Sequence, residues 1–381
     1  MNKKLIALLA LAGLSASASS FAGTVRLSGN IDNSIQVMKA KGESTVVEQA
    51  TNQIYSSGIH LDATEDFGNG YGVESKVWFV ISPDDGSIAS PDGALANHVV
   101  VAVKTPYGKV GAGRFGAFGS AIGPIGRWWY TDPFFNGIGD AGPQATTNGI
   151  YGEPLRNSIY YESPDLSGAK LGLVYSLTEE NNAEGASQND NTTFWEVFSS
   201  YQNGPLLLMA DVQGNHYGHA SAYRHLGNRF RAKVSGSYEM GSWTVYGGWS
   251  YGRNEIKFNG SAWGNRPDFK YDASNPDKDG MNGRALDMQS AYVAVKKTIG
   301  AWDLQALGQM QWGENKGQSA SKTTDPKFRR YVGSIGANYN FSNRTTLYSV
   351  ASFSFTGKGW KEGQAAALER RMFILGIAHT F

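Results

Sequence analysis

Cysteine is absent from the 381 residues of this chain, which excludes disulfide bonds, thiol chemistry and metal sites built on thiolates. Charged residues are also scarce at 18%, and the formal net charge is +1. Such a balance provides no basic surface for nucleic acid, so we expect no nucleic-acid partner. After the N-terminal segment, no apolar run approaches the roughly 20 residues that a membrane-spanning helix needs. The composition therefore excludes a helical membrane bundle.

The N-terminal 22 residues have the pattern of a secretory signal peptide. A basic segment, Met1–Lys4, precedes an apolar run from Leu5 to Leu14, and small residues lead up to Ala22. The apolar run is too short to span a bilayer. We predict cleavage after Ala22, with Ala18 as the alternative site, and a single exported domain over 23–381. An uncleaved anchor or a buried helix is the competing interpretation.

Glycine (48 residues) and aromatic residues (12%) are abundant, and polar and apolar side chains alternate in many short runs. The last run is the clearest, because one face carries Phe373, Leu375, Ile377, His379 and Phe381. A period of two with one apolar face is typical of a strand. A soluble protein rarely leaves such an edge unprotected, whereas a closed membrane barrel has no edge. We predict an all-β fold, a transmembrane antiparallel β-barrel.

The alternating runs predict about 16 strands. They lie near 24–38, 59–63, 73–79, 99–103, 109–115, 157–163, 169–177, 193–201, 206–214, 229–239, 243–256, 287–298, 302–312, 330–341, 345–356 and 369–381. Tight turns such as Asn69-Gly70 alternate with long polar connections, as expected when one rim faces the periplasm and the other the exterior.

One connection, residues 116–155, is much longer than the others and shows no period of either kind. It contains Arg127, Trp128, Trp129, Phe134 and Phe135, which makes it too aromatic for disorder. A loop of this length within a regular array is expected to be functional. We predict that it folds into the barrel lumen and narrows it.

Several motifs resemble those of the Gram-negative general porins. They are Glu65–Gly70, Gly111–Arg114, Arg156–Pro164, Asn338–Tyr348 and the C-terminal Gly376–Phe381. The resemblance covers nearly all of the mature chain. It implies a sixteen-stranded homotrimeric barrel in the outer membrane, in contact with lipid and lipopolysaccharide. It also implies an inward third loop and passive diffusion of small hydrophilic solutes and ions, without a cofactor or catalysis. Phe381 and His379 would belong to the C-terminal insertion signal.

The same resemblance assigns basic residues to the narrowest part of the pore. Arg114 and Arg156 match basic wall positions, and Arg26 is a further candidate. Facing them, the loop acids are Asp132, Asp140 and Glu153. Opposed charges across a narrow wet gap create a transverse field that favours polar solutes. Strict alternation places Arg114 on the lipid side with Val110 and Ala112, so this role requires a bulge near Gly113. Trp128 and Trp129 would narrow the pore further.

Other motifs indicate competing chemistry only weakly. Gly111–Gly116 and Gly137–Gly142 fit the dinucleotide pattern, but neither begins the helix that a pyrophosphate needs. His216, His219 and His225 read as solvated loop residues, and the calcium-like loop that starts at Asn275 lacks its final Glu. We therefore predict no metal site.

The strand aromatics allow two interpretations. Trp243, Trp249, Tyr251, Trp302 and Trp312 fall on outward parities, which favours interfacial girdles over a sugar-stacking slide on the lumen face. A substrate-specific sugar or anion channel on the same barrel stays open as the alternative function. A barrel hydrolase would need a cluster of His, Ser and acid at one rim, and the sequence shows none.

Overall fold

The computed structural model describes residues 23–88, 96–119, 130–134, 155–177, 191–219, 221, 227–255, 286–315, 327–357 and 369–381. In this part of the chain no helix is long and apolar enough to cross a membrane. The predicted signal peptide, residues 1–22, lies outside the described residues.

Strands make up most of the described chain. They are β1 (Gly23–Ala40), β2 (Val46–Thr51), β3 (Gly58–Gly68), β4 (Tyr71–Ser82), β5 (Ser87–Ile88), β6 (His98–Thr105), β7 (Gly108–Phe115), β8 (Leu155–Glu162), β9 (Ala169–Ser176), β10 (Thr193–Asn203), β11 (Leu206–His216), β12 (Arg229–Met240), β13 (Trp243–Glu255), β14 (Leu286–Ile299), β15 (Trp302–Asn315), β16 (Lys327–Ser342), β17 (Thr345–Thr356) and β18 (Arg370–Thr380).

These strands form a closed antiparallel barrel with sixteen wall strands. Each pairs with its neighbours in chain order, and β1 pairs with β18 from Asn30↔Thr380 to Ala40↔Arg370. We call this closing β1–β18 pairing the seam. On its other side β1 pairs with β3 and then with β2, so β2 and β3 form one interrupted wall strand. β5 pairs only with β4, outside the barrel sheet. The predicted sixteen-stranded barrel is confirmed.

All sixteen predicted strand positions are confirmed, with ends that differ by a few residues. The sequence predicts neither β2 nor β5. In β2 the adjacent valines at 46 and 47 break the period of two, and most of its side chains are exposed. The interruption of the strand at 52–57, after β2, is also unexpected, because an irregular segment inside a wall strand has no periodic signature in the sequence.

The two faces of the wall have opposite polarity, as the alternation predicts. On β18, Phe373, Leu375 and Ile377 are exposed on the outer surface, while Met372 and Ile374, at the alternate positions, are buried inside. The outer surface is therefore largely apolar. It suits hydrocarbon, whereas most charged side chains of the wall are turned inward.

The two rims of the barrel differ in the length of the connections between strands. Short turns and both ends of the described wall, Gly23 and Phe381, lie at one rim, which we call the short-turn rim. Asn69 (φ 53°) and Gly70 (φ 81°) form one of these turns in the left-handed conformation that Asn-Gly tolerates. The other, long-connection rim carries the segments between β4 and β6, β7 and β8, and β13 and β14. The predicted asymmetry is confirmed.

Candidate functional site in the barrel lumen

The segment that follows β7 turns into the lumen and is held on the wall by one carboxylate. The backbone N–H groups of Phe118 and Gly119 donate to the two oxygens of Glu196 on β10, at 2.7 and 2.6 Å. Lys233 on β12 donates to the carbonyl oxygen of Gly119 at 2.8 Å and lies 3.6 Å from Asp211 on β11. Glu196, Asp211 and Lys233 are all buried. We call this group the loop anchor.

Small residues make the loop anchor possible. A side chain at Gly119 would collide with the Asp211 carboxylate, and one at Gly172 on β9 would lie 2.6 Å from the Phe118 ring. Phe118 stacks on Phe198 with ring centroids 5.7 Å apart. The glycines thus let an aromatic residue and a backbone segment press directly against the wall.

A second part of the same connection, residues 130–134, contacts the wall further round the barrel, at β14–β16. The Tyr292 hydroxyl on β14 donates to the carbonyl oxygen of Thr131 at 2.8 Å. Phe134 is buried in an apolar cluster with Tyr292 and Leu307, and Gly336 on β16 leaves room for its ring. The described parts of the 116–155 connection thus contact the lumen face at β9–β12 and at β14–β16, and the predicted inward third loop is confirmed for these parts.

The 52–57 interruption of the wall forms another inward segment, centred on Asp32 of β1. The Asp32 carboxylate accepts the N–H groups of Ile54 and Tyr55 at 2.6 and 2.9 Å. The Tyr348 hydroxyl on β17 donates to its other oxygen. Ile54 belongs to the same apolar cluster as Phe134, so the two inward segments reach the same part of the wall.

The bulge required for Arg114 is present. The β7–β8 register shifts between Gly113 and Phe115, and Gly113 has a φ of 140°, which glycine adopts without strain. Arg114 is half-buried and its Nε is shielded from solvent, whereas Val110 and Ala112 are exposed. Arg114 thus departs from the outward pattern of β7. Its place at the narrowest point stays a prediction.

Arg156 and Arg26 occupy different depths. Arg156 is half-buried near the start of β8, on the long-connection side, where its carbonyl oxygen accepts the hydroxyls of Ser158 and Ser176 at 2.9 and 2.7 Å. Arg26 is exposed opposite Asp62 in the short-turn half of β1, six positions before Asp32. Its side chain therefore lies nearer the short-turn rim than the inward segments do.

Only one of the predicted loop residues falls in the described part. Asp132 is buried, and its Oδ1 accepts the N–H of Phe134 at 2.7 Å. Asp140, Glu153, Arg127, Trp128 and Trp129 lie outside the described residues. The opposed-charge arrangement at the constriction therefore stays a prediction.

The predicted C-terminal signal residues lie at the end of the seam. Phe381 exchanges two backbone hydrogen bonds with Gly29, at 2.9 and 3.0 Å, and its ring lies over that glycine. His379 Nδ1 is 2.9 Å from the hydroxyl of Thr345. The terminal aromatic residue thus takes part in closing the wall.

An aromatic row on the lumen face is not predicted from the sequence. His60, Trp78 and His98 are opposite one another on β3, β4 and β6, with successive ring centroids 4.9 Å apart. The parity of the three runs gives the signal, because each residue sits among inward positions. The row adds a rigid aromatic patch to the lumen wall.

Three of the aromatic residues predicted on the outer surface are found there. Trp243, Trp249 and Trp302 are exposed on the outer surface, where amphipathic rings suit the membrane interfaces. His216 contacts Asn228 through Nδ1 at 3.0 Å. Among the residues that the structure describes, no group of three His, Cys, Asp or Glu could hold a metal ion.

The acids of the lumen wall are mostly engaged in structural contacts. Glu255 forms a buried 2.6 Å ion pair with Arg231, while Glu196 and Asp32 hold the inward segments. These carboxylates are at most 3% exposed. By contrast, Arg26 and Lys76 on the same face are exposed, and Lys76 is 3.9 Å from Asp62. Asp62 is itself 34% exposed, so this part of the wall carries accessible charges of both signs.

Known proteins resemble this chain along most of its length. A family model described as Gram-negative porin matches residues 5–357. The major outer membrane protein P.IB of Neisseria meningitidis is 27% identical over 213 residues, 55% of this chain and 57% of the relative, so the match spans a little over half of that protein.

Solved structures share the fold. The anion-selective porin from Comamonas acidovorans is 18% identical with a TM-score of 0.68, over 94% of this chain and 100% of that one. The OmpF–daunomycin complex of Salmonella typhi is 12% identical with a TM-score of 0.64, over 94% and 98%. OmpT of Vibrio cholerae in its trimer form is 13% identical with a TM-score of 0.62, over 94% and 100%.

Proposed function

This chain belongs to the Gram-negative porin family and is an outer-membrane protein, and from that premise we propose that it forms a water-filled channel. Small hydrophilic solutes and ions would cross it by passive diffusion. The observation that carries the proposal is the closed sixteen-stranded wall with an apolar outside and charged residues inside. A barrel of this strand number leaves an aqueous bore, where an eight-stranded one is filled by side chains. The inward third connection reduces the bore without being part of the wall.

The experiment is reconstitution of the purified protein into a planar bilayer. Discrete ohmic current steps in salt solution, with no dependence on an added energy source, are the expected result. A protein that inserts and shows no conductance would contradict the proposal. Saturable block of the current by a particular sugar or anion would instead support the alternative, a substrate-specific channel.

A preference for anions is a second proposal, supported by the charge distribution in the lumen. Arg114 and Arg156, which flank the third connection, are half-buried, whereas the described acids that contact this connection, Glu196 and Asp132, are buried in structural contacts. A structural relative from Comamonas acidovorans is described as anion-selective. An excess of accessible positive charge raises the local concentration of anions.

Reversal potential in a salt gradient measures this preference directly. We expect a reversal potential whose sign corresponds to preferential flow of anions. Its magnitude should be smaller in Arg156→Ala and in Arg114→Ala than in the native channel. Arg253→Ala is the matched control, because that arginine is exposed on the outer surface at the end of β13. Equal potentials in the native channel and in Arg156→Ala would remove Arg156 from the filter.

The family and fold are those of channels, and we propose that the protein has no catalytic role. We also propose a homotrimer, which agrees with the trimer form described for the Vibrio cholerae relative. Light scattering of the detergent complex, corrected for bound detergent, would give the mass of three chains. N-terminal sequencing of the exported protein would test the proposed start at Gly23.

A further inference from the structure

The wall strand made of β2 and β3 contains more residues than its pairing with β1 requires. Thr51 at the end of β2 is opposite Asn33, and Gly58 at the start of β3 is opposite Asn30. Residues 52–57 thus use six residues for a stretch that β1 crosses with two, an excess of four. Because this excess is even, β2 and β3 keep the same faces, and the barrel closes around the insertion.

The inserted residues are fixed on the inner face of the wall by several hydrogen bonds besides those to the Asp32 carboxylate. The Asn30 side chain donates to the carbonyl oxygen of Ser56. The N–H of Ser57 donates to Asn52 Oδ1 at 2.6 Å, and its hydroxyl accepts the N–H of Asp32 at 2.9 Å. A segment with so many buried hydrogen bonds does not open readily. It therefore occupies the lumen permanently.

Tyr55 is the residue of this segment that approaches the third connection. Its side chain is half-buried and packs against the apolar cluster that contains Ile54 and Phe134. Its hydroxyl is close enough to that of Tyr130 for an electrostatic interaction. Tyr130 is the first described residue of 130–134 and is 60% exposed. Two inward segments that are far apart in the chain thus present tyrosine side chains to the same part of the lumen.

We propose that the 52–57 segment is a second constriction element, which bounds the passage together with the third connection, and that Tyr55 sets its size limit. This inference rests on the proposed channel function. The width of a pore and the side chains that line its narrowest part determine which solutes pass. The segment adds the uncharged polar side chains of Gln53 and Tyr55 to this lining. It therefore sorts solutes by size and not by charge.

The test measures single-channel conductance of the mature protein and the largest polyethylene glycol that enters the pore. Deletion of 53–56 removes the excess and keeps the parity of the strand, and Asp32→Asn in the same variant avoids an exposed carboxylate. We expect conductance to rise about 1.5-fold or more and larger polymers to enter. Tyr55→Ala should give a smaller gain with an unchanged reversal potential. Tyr246→Ala is the matched control, because Tyr246 on β13 packs against the same cluster without belonging to either inward segment.

Two conductance results would overturn the proposal. One is an unchanged polymer limit in a folded deletion variant, and the other is an equal gain in Tyr55→Ala and Tyr246→Ala. If the deletion variant does not fold, the comparison of the two tyrosine variants decides the question.

Cross-linking tests the approach of the two segments without a current. The chain has no cysteine, so Tyr55→Cys/Tyr130→Cys introduces a single pair of thiols, which a short bifunctional maleimide should join. Val47→Cys/Tyr130→Cys should not react in this way, because Val47 is exposed on the outer surface. Absence of the 55–130 cross-link, read by mass spectrometry, would refute the second constriction. A native protein that forms the cross-link and carries no current would refute the channel proposal instead.

Discussion

The hydroxyl of Tyr348 donates a 2.6 Å hydrogen bond to the carboxylate of Asp32, although the two residues are 316 positions apart in the chain. The same carboxylate accepts the backbone N–H groups of Ile54 and Tyr55. Asp32 is completely buried. One side chain thus connects β17, the first strand and the inward 52–57 segment.

Removing the hydroxyl in Tyr348→Phe should weaken this junction. Hydrogen bonds to charged groups contribute about 1.5–3 kcal/mol, and the buried Asp32 oxygen would lose its donor. We expect a lower unfolding temperature by circular dichroism and loss of the compact band at a lower temperature in gel electrophoresis. Tyr331→Phe is the control, because that ring stacks on Phe355 on the outer surface. Equal unfolding temperatures of the two variants would show that the Tyr348–Asp32 hydrogen bond does not stabilise the barrel.

Glu196→Gln should loosen the loop anchor. The amide retains one acceptor oxygen, so one of the N–H groups of Phe118 and Gly119 loses its partner, at a cost of about 1–3 kcal/mol. We expect faster hydrogen exchange at 116–119 and greater open-channel current noise. Glu74→Gln, which removes a charge that pairs with Lys109 at 2.7 Å, should leave both quantities close to native. Unchanged exchange in Glu196→Gln would show that other contacts hold the segment.

Gly29→Val should hinder closure of the seam. A Cβ at this position would lie 2.5 Å from the Phe381 ring, and overpacking of this kind typically costs about 1–3 kcal/mol. We expect a smaller heat-modifiable fraction after refolding. Phe381→Ala in the Gly29→Val background should recover part of that loss, because it removes the ring. Gly308→Val is the matched control, since a Cβ there meets no atom within 4 Å.

The Lys41–Glu369 contact predicts a small pH effect outside the spanning strands. Hydrogen bonding from Lys41, then from Thr356, lowers the pKa of Glu369 from its usual 4.5. A carboxyl with a lowered folded-state pKa stabilises the fold above its unfolded value and loses that contribution as the pH falls through the lowered value. The unfolding-temperature difference between the native protein and Glu369→Gln should therefore shrink from about pH 6 to about pH 3. A difference independent of pH would contradict this.

Much of the wall could be predicted from local patterns, because polar and apolar residues alternate along a half-buried strand and so identify its two faces. Phe373, Leu375 and Ile377 indicate the lipid side of β18 without any knowledge of its neighbours. Asn69-Gly70 specifies a turn through its own backbone preference. The bulge at Gly113 is also predictable, because Arg114 otherwise breaks the parity of its strand.

The inward features depend on contacts that no local pattern shows. Asp32 reads as an ordinary polar position of β1 until Ile54, Tyr55 and Tyr348 are brought to it by closure of the barrel. Glu196 likewise reads as a solvated wall residue, yet it is buried against backbone N–H groups 77 and 78 positions away. Such residues become distinguishable only when the topology places distant segments together.

The seam also has a consequence for biogenesis. Its two partners stand at opposite ends of the polypeptide, so the first strand exported has no permanent neighbour on that side until the last strand has followed it. Pairing over such a separation carries a large loop-closure cost and is intrinsically slow. Throughout transit the N-terminal edge is an aggregation hazard. Until the C-terminal strand arrives, pairing with other chains therefore competes with closure of the barrel.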